Sequence, residues 1–124
     1  MSSYDDDGPR PGAGKGAGGP VTGAAAERAV RDLRAAGRLA EAVRLVGRLG
    51  PYGVADGPDA TTSLGAAVLE AYGDQLAATD RAAADAAYQD AAAEQRSFAA
   101  AATSGGEGLA RMAEADRIDA KRHR

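Results

Sequence analysis

A lysine inside a glycine run is the first feature with chemical potential. Residues 8–19 read GPRPGAGKGAGG. Gly14-Lys15 there raises the chemistry of phosphate binding, in which backbone N–H groups cradle the anion and a lysine reaches it. That chemistry needs Gly, four residues, then Gly-Lys-Ser/Thr. Here five residues separate Gly8 from Gly14-Lys15, and Gly16 stands where the magnesium-binding hydroxyl belongs. Gly14, Gly16 and Gly19 satisfy Gly-x-Gly-x-x-Gly, but Asp5-Asp6-Asp7 upstream is no buried strand. The dinucleotide reading therefore lacks its context. The run is expected to be a disordered, solvated tail, too poor in large apolar side chains to order itself.

Other candidate groups fare no better. His123 is the only histidine and sits one residue from the end, so a histidine-dependent triad or metal site is not expected. Cysteine is absent, which removes thiolate ligands and thiol nucleophiles. Asp80, Asp85, Asp90 and Glu94 step by five, five and four. On a helix those steps drift around the axis, and the Glu-x-x-His of a carboxylate-bridged metal bundle is missing. They read as a solvated acidic face. Tyr72 and Tyr88 read as core or interface residues. No nucleophile is paired with a base, so the expectation is a chain with no catalytic residues, no metal and no cofactor.

The elements that would position these groups are helical. Val30, Leu33, Gly37, Ala40, Val43 and Val46 recur at steps of three and four, one stripe of an amphipathic helix over 24–49. Thr22 is a candidate N-cap, and Gly50-Pro51 stops the helix. Gly37 either permits close packing or divides the segment into two short helices. Residues 50–63 form a loop in which Asp59 or the following Thr/Ser caps the next helix. Residues 64–103 hold no proline. Val68, Tyr72, Leu76, Thr79 and Ala83 trace one face, and Tyr88, Ala91, Gln95, Phe98 and Ala102 continue it. That spacing predicts one long helix of about 60 Å, bent at most at Gly73. Ser104 and Glu107 form a capping-box pattern for a short helix over about 107–120, with Leu109, Met112 and Ile118 facing inward. The closing Lys-Arg-His-Arg suits a solvated helix end.

The predicted architecture is all-α. Residues 1–22 are the tail, and 23–104 an antiparallel hairpin with helices at 24–49 and 64–103 around the loop 50–63. Residues 105–124 add the short helix and basic end. Charge is segregated: 24–49 carry six Arg against three acids, and 64–103 carry six acids against two Arg. Opposite signs favour pairing of the two rods and select the arrangement more than they stabilise it. Aromatics are only 4% of the chain, so the seam is built mostly of alanine and the core is thin. The far end of the longer rod, with Tyr88 and Phe98, then needs a cover: the C-terminal helix, another copy or a different protein. The net charge of −3 argues against nonspecific nucleic-acid binding, and no window reaches the length of an apolar membrane span.

The layout of helix, Gly-containing turn and Ala-rich second helix resembles the small helical-hairpin proteins of actinobacterial type VII secretion, the WXG100 and EspC-like families. The residues that carry the likeness are Tyr52-Gly53 in the turn and LGAAVLEAYGDQLAA from Leu64, within residues 24–103. The turn has no Trp-x-Gly, and Ala92 follows Tyr88 where an export signal of the form Tyr-x-x-x-Asp/Glu would place an acid. The resemblance implies a hairpin that pairs with a partner hairpin and is exported as a folded complex. A second, local likeness is to a tetratricopeptide repeat, in AAGRLAEAVRLVGRLGP at 35–51. It implies a turn at Gly37 between two short helices.

Together these readings predict a non-enzymatic protein–protein interaction module, a small adaptor or secretion-type partner. Helix packing onto a protein partner or a homo-oligomer is expected through Val30, Leu33, Val43, Val46, Val68, Tyr72, Leu76, Tyr88 and Phe98. The alternatives are a tetratricopeptide-like regulatory scaffold and, last, a phosphate-binding enzyme subunit. MSSYDDDGPRPG has neither the basic nor the apolar region of a signal peptide, so the expected location is cytoplasmic. The alternative is secretion by a route that needs no signal peptide.

Overall fold

The computed structural model describes residues 23–48, 54–57 and 59–123. The expected tail 1–22 with Gly14-Lys15 and Thr22, the stop at Gly50-Pro51 and the Tyr52-Gly53 turn lie outside these residues. Among the described residues the chain is all-α, as its composition and periodicity predict. It forms α1 (Gly23–Ala35), α2 (Leu39–Arg48), α3 (Leu64–Leu76), α4 (Arg81–Ala100) and α5 (Gly105–Asp119), followed by a 3-10 turn at Ala120–His123.

Neither predicted rod is continuous. The 24–49 segment breaks at Gly37, whose φ of 76° lies in the left-handed region that glycine enters without a Cβ penalty. The N–H of Arg38 bonds to Leu33 O (2.9 Å) and closes α1. Arg38 also chelates Glu41 in the first turn of α2 (2.5 Å). The 64–103 segment breaks at 77–80, without glycine or proline. Thr79 N and Asp80 N both bond back to Leu76 O (2.9 and 2.7 Å), and the Asp80 side chain accepts from Ala83 N (3.1 Å) as the N-cap of α4. A 60 Å rod would leave most of its apolar surface in water. Folding at Asp80 lets α3 and α4 bury each other.

The resulting order is sequential and antiparallel. Gly73 lies against the Tyr88 ring and Ser63 against Gln95, so α4 runs back along α3. Arg111 meets the Phe98 carbonyl and Arg81 that of Lys121, so α5 runs back along α4. Residues 23–48 form a smaller hairpin on the outer side of α3. There Val30, Ala42 and Val46 pack on Leu64 and Val68, with Leu33, Val43 and Leu45 at the edge. A second core joins Ala66, Ala84, Tyr88, Ala91 and Ile118, flanked by Leu69, Leu76 and Ala77. Small side chains let these axes approach closely. Gly73 is a point of close approach: a Cβ there would stand 2.6 Å from Tyr88 Cε1.

Local chemistry explains the loop and caps. Ser63, among the candidates before the second rod, caps α3 by accepting from Ala66 N (3.1 Å). The chain ahead of it is pinched by Asp56 N to Thr62 O and Leu64 N to Val54 O, both 2.9 Å. Asp56 in that loop holds α1 through Arg34 (2.6 Å) and Arg31 (3.3 Å). At α5 the capping box forms with one change. Ser104 Oγ accepts from Glu107 N (3.1 Å), but the Glu107 carboxylate reaches Thr103 N (3.2 Å). The helix accordingly starts at Gly105.

Charge pairing also differs from expectation. Among the described residues no ion pair joins α1 or α2 to α3 or α4. The acids of α3 pair with the C-terminal end instead: Glu70 with Arg117 (2.7 Å) and Lys121 (2.6 Å), Asp74 with Lys121 (3.0 Å). The physical reason is the return of α5, which runs parallel to α3 and brings its basic end over those carboxylates. Lys121 is thus half-buried in a network, not a freely solvated end residue.

Candidate functional site

Of the nine residues expected to form a partner interface, five are buried inside the chain and four are half-buried. Val30, Val46, Val68, Tyr88 and Phe98 are buried. Leu33, Val43 and Leu76 are half-buried against the two cores, and Tyr72 is half-buried in α3. Tyr88 is 3% and Phe98 2% exposed. The cover that Tyr88 and Phe98 require is the C-terminal helix, which places these two rings in the core.

Phe98 is enclosed by Arg111, whose guanidinium stacks on the ring at 3.7 Å and donates to the Phe98 carbonyl (3.4 Å). The same side chain pairs with Glu107 one turn back. Tyr88 donates its hydroxyl to Asp74 (2.7 Å), with Arg81 and Lys121 near its ring at 5.9 and 5.6 Å. Burial, then the Asp74 carboxylate, pushes the phenol up to about 12, so it remains protonated at neutral pH. Burial also pushes the neighbouring Glu70 up, but hydrogen bonds from Arg117 and Lys121 outweigh it and hold the carboxyl below its ordinary value. This end of the bundle is a closed set of ion pairs that fastens α5 to α3.

The outer face of α5 is different. Leu109 is 74% and Met112 38% exposed, and both were expected to face inward. The helix is turned so that Arg111, Ala115 and Ile118 meet α4, at steps of four and three. Gly108 lies close to the Ala99 carbonyl. A small-residue stripe allows close contact with alanine-rich α4, and Arg111 supplies the Phe98 cover. Leu109 and Met112 are consequently left one turn apart on the opposite side, among exposed Gly105, Gly106, Ala110 and Ala113. The only other exposed large apolar residue among those described is Val54.

A cleft of about 300 Å³ lies between α2, α3 and α4, walled by Val43, Val46, Gly47 and Leu69 and edged by Asp90, Glu94 and Ser97. Glu94 is half-buried beside Gly65, where a Cβ would collide with its carboxyl. Burial, reinforced by Asp90, pushes Glu94 up to about 6. The four acids once grouped as one solvated face therefore have separate roles: Asp80 caps α4, Asp85 pairs with Arg81 (3.0 Å), Asp90 is exposed and Glu94 is lodged in the cleft. Among the described residues no group of three potential metal ligands converges. No helix there is long and apolar enough to cross a membrane.

Comparison with known protein families, with curated proteins and with solved structures finds no match. The chemistry of the chain's own surface carries the functional reading.

Two residues were missed from sequence. Gln95 is completely buried and joins three segments: Oε1 accepts from Ser63 N (2.9 Å), while Nε2 donates to the carbonyls of Arg111 (3.2 Å) and Thr61. Its place on the apolar stripe with Phe98 was the available signal. The outward set of Leu109 had no sequence signal, because steps of three and four also run through Leu109 and Met112.

Proposed function

We propose that the chain is a non-enzymatic helical protein–protein interaction module whose contact surface is the outer face of α5. The observation that carries this reading is the exposure of Leu109 and Met112 on a helix that packs inward through Arg111, Ala115 and Ile118. Large apolar side chains grouped on a rigid element gain by being covered. The type VII secretion-like reading belongs here: in it, helix faces of this kind pair with a partner helix, and the protein acts as a small adaptor or secretion partner.

A second reading, the tetratricopeptide-like scaffold, is favoured by one observation. Gly37 divides residues 23–48 into the helix–turn–helix that a repeat unit requires. The phosphate-binding alternative rests on residues 8–19, outside the described part of the chain.

The test is a photo-crosslinking amino acid at position 109, in the cells that naturally make the chain, with Asp59 as the exposed control position. The interaction reading expects a discrete adduct from 109 and none of that mass from 59. Equal, diffuse labelling at both positions would remove it.

A further inference from the structure

Resting on that reading, we infer that the occupant of the α5 face is a second copy of the chain, docked antiparallel through the same helix. The face is complementary to itself in size and charge. Along its exposed side α5 presents glycines at 105 and 106, then Leu109, Ala110, Met112, Ala113 and Asp116. Large residues thus alternate with small ones. An antiparallel two-fold centred near position 111 sets Leu109 over Ala113 of the second copy, and the reverse. It brings the two Met112 side chains together beside the axis.

Charge selects the same direction. The Asp116 side chain is 74% exposed, and its contact with Arg96 spans 3.5 Å. Antiparallel docking places it against the first turn of the other α5 beside Gly105 and Gly106, where the helix dipole favours an anion, while the carboxylate of Glu107 in that turn is held by Thr103 and Arg111. Parallel docking would set Asp116 against Asp116 and leave both helix starts side by side. The axis is isologous, so contact closes at two copies and does not propagate.

The interface is small. Fifteen residues of helix extend about 22 Å, which keeps the buried area in the class of weak, transient contacts. The expected dimer dissociation constant is about 1–100 µM.

Sedimentation equilibrium on the full chain tests this. The expected result is a monomer–dimer equilibrium in that range, weakened at least about tenfold by Leu109→Glu and by Ala113→Glu. Both positions are exposed, so the far-UV circular dichroism spectrum and unfolding midpoint of each variant should match the parent. The chain has no cysteine, so single thiols report direction. Under mild oxidation an equal mixture of Leu109→Cys and Ala113→Cys chains should form the mixed 109–113 disulfide in preference to 109–109. A chain monomeric throughout, a dimer indifferent to both glutamates, or a predominant 109–109 bridge overturns the proposal. The crosslink at position 109 separates the two levels. An adduct of twice the chain mass supports self-pairing. One of another mass ends self-pairing while the interaction reading stands, and no specific adduct ends both.

Discussion

Replacing Gln95 with leucine should separate α5 and the 61–63 loop from α4 energetically while leaving volume nearly unchanged. Gln95 and Ser63 are both fully buried, and the Ser63 N–H donates to Gln95 Oε1 at 2.9 Å. Leucine leaves that N–H without a partner, a cost of about 1–3 kcal/mol. The carbonyls of Thr61 and Arg111 lose a donor in part-buried settings, about 0.5–1 kcal/mol each. Removing the amide from an apolar site offsets about half of this, and the net destabilisation is about 2 kcal/mol. For a domain of this size that lowers the midpoint of thermal unfolding by about 8–16 °C. Denaturant unfolding followed by circular dichroism measures it, and hydrogen exchange at Ser63 should accelerate. Gln95→Glu sharpens the test. Its carboxylate can still accept from Ser63 N, but it turns an oxygen toward two carbonyl oxygens, so at neutral pH it should be less stable than the leucine variant and recover as acid protonates it. A leucine variant within about 0.5 kcal/mol of the parent, or a glutamate variant as stable as the parent at pH 7, would refute the bridging role.

Glu94→Gln should stabilise the fold above pH 6 and have no effect below pH 4.5. The carboxyl titrates at its ordinary 4.5 when unfolded and at about 6 in the cleft, so the folded chain holds the extra proton between those values. Its favourable contribution is complete below 4.5 and is lost as pH rises through 6. The effect is about 1 kcal/mol after allowance for screening of a half-buried group, read from unfolding midpoints across pH. Gly73→Ala, although helix-favouring by about 1 kcal/mol, should destabilise by about 1–3 kcal/mol because the Tyr88 ring occupies the space of the new methyl. Equal or higher stability by denaturant titration would contradict that packing. Asp56→Ala should release the loop from Arg31 and Arg34, at about 1 kcal/mol, and speed exchange at the N–H of Leu64 without changing helix content.

Composition and periodicity alone determine that this chain is helical, where α1 begins its apolar stripe, and that Ser104 starts a final helix. These are local matters. Alanine favours helix wherever it stands, and a serine caps the turn next to it. Gly37 was also legible as a break, since a lone glycine between amphipathic segments offers the left-handed conformation that ends a helix. The division at Asp80 was harder to read, because aspartate interrupts a helix only when the chain gains by turning back there. Which residues would be free for a partner was not legible at all. Val30, Tyr88 and Phe98 have the same chemistry in a core as in an interface, and Leu109 repeats with the spacing of a buried stripe. Only tertiary structure decides between them. Alanine-lined helices pack closely where small residues meet, so α5 settles on α4 through Gly108 and Ala115, with Ile118 in the core and Arg111 over Phe98, and Leu109 and Met112 are turned to the outside.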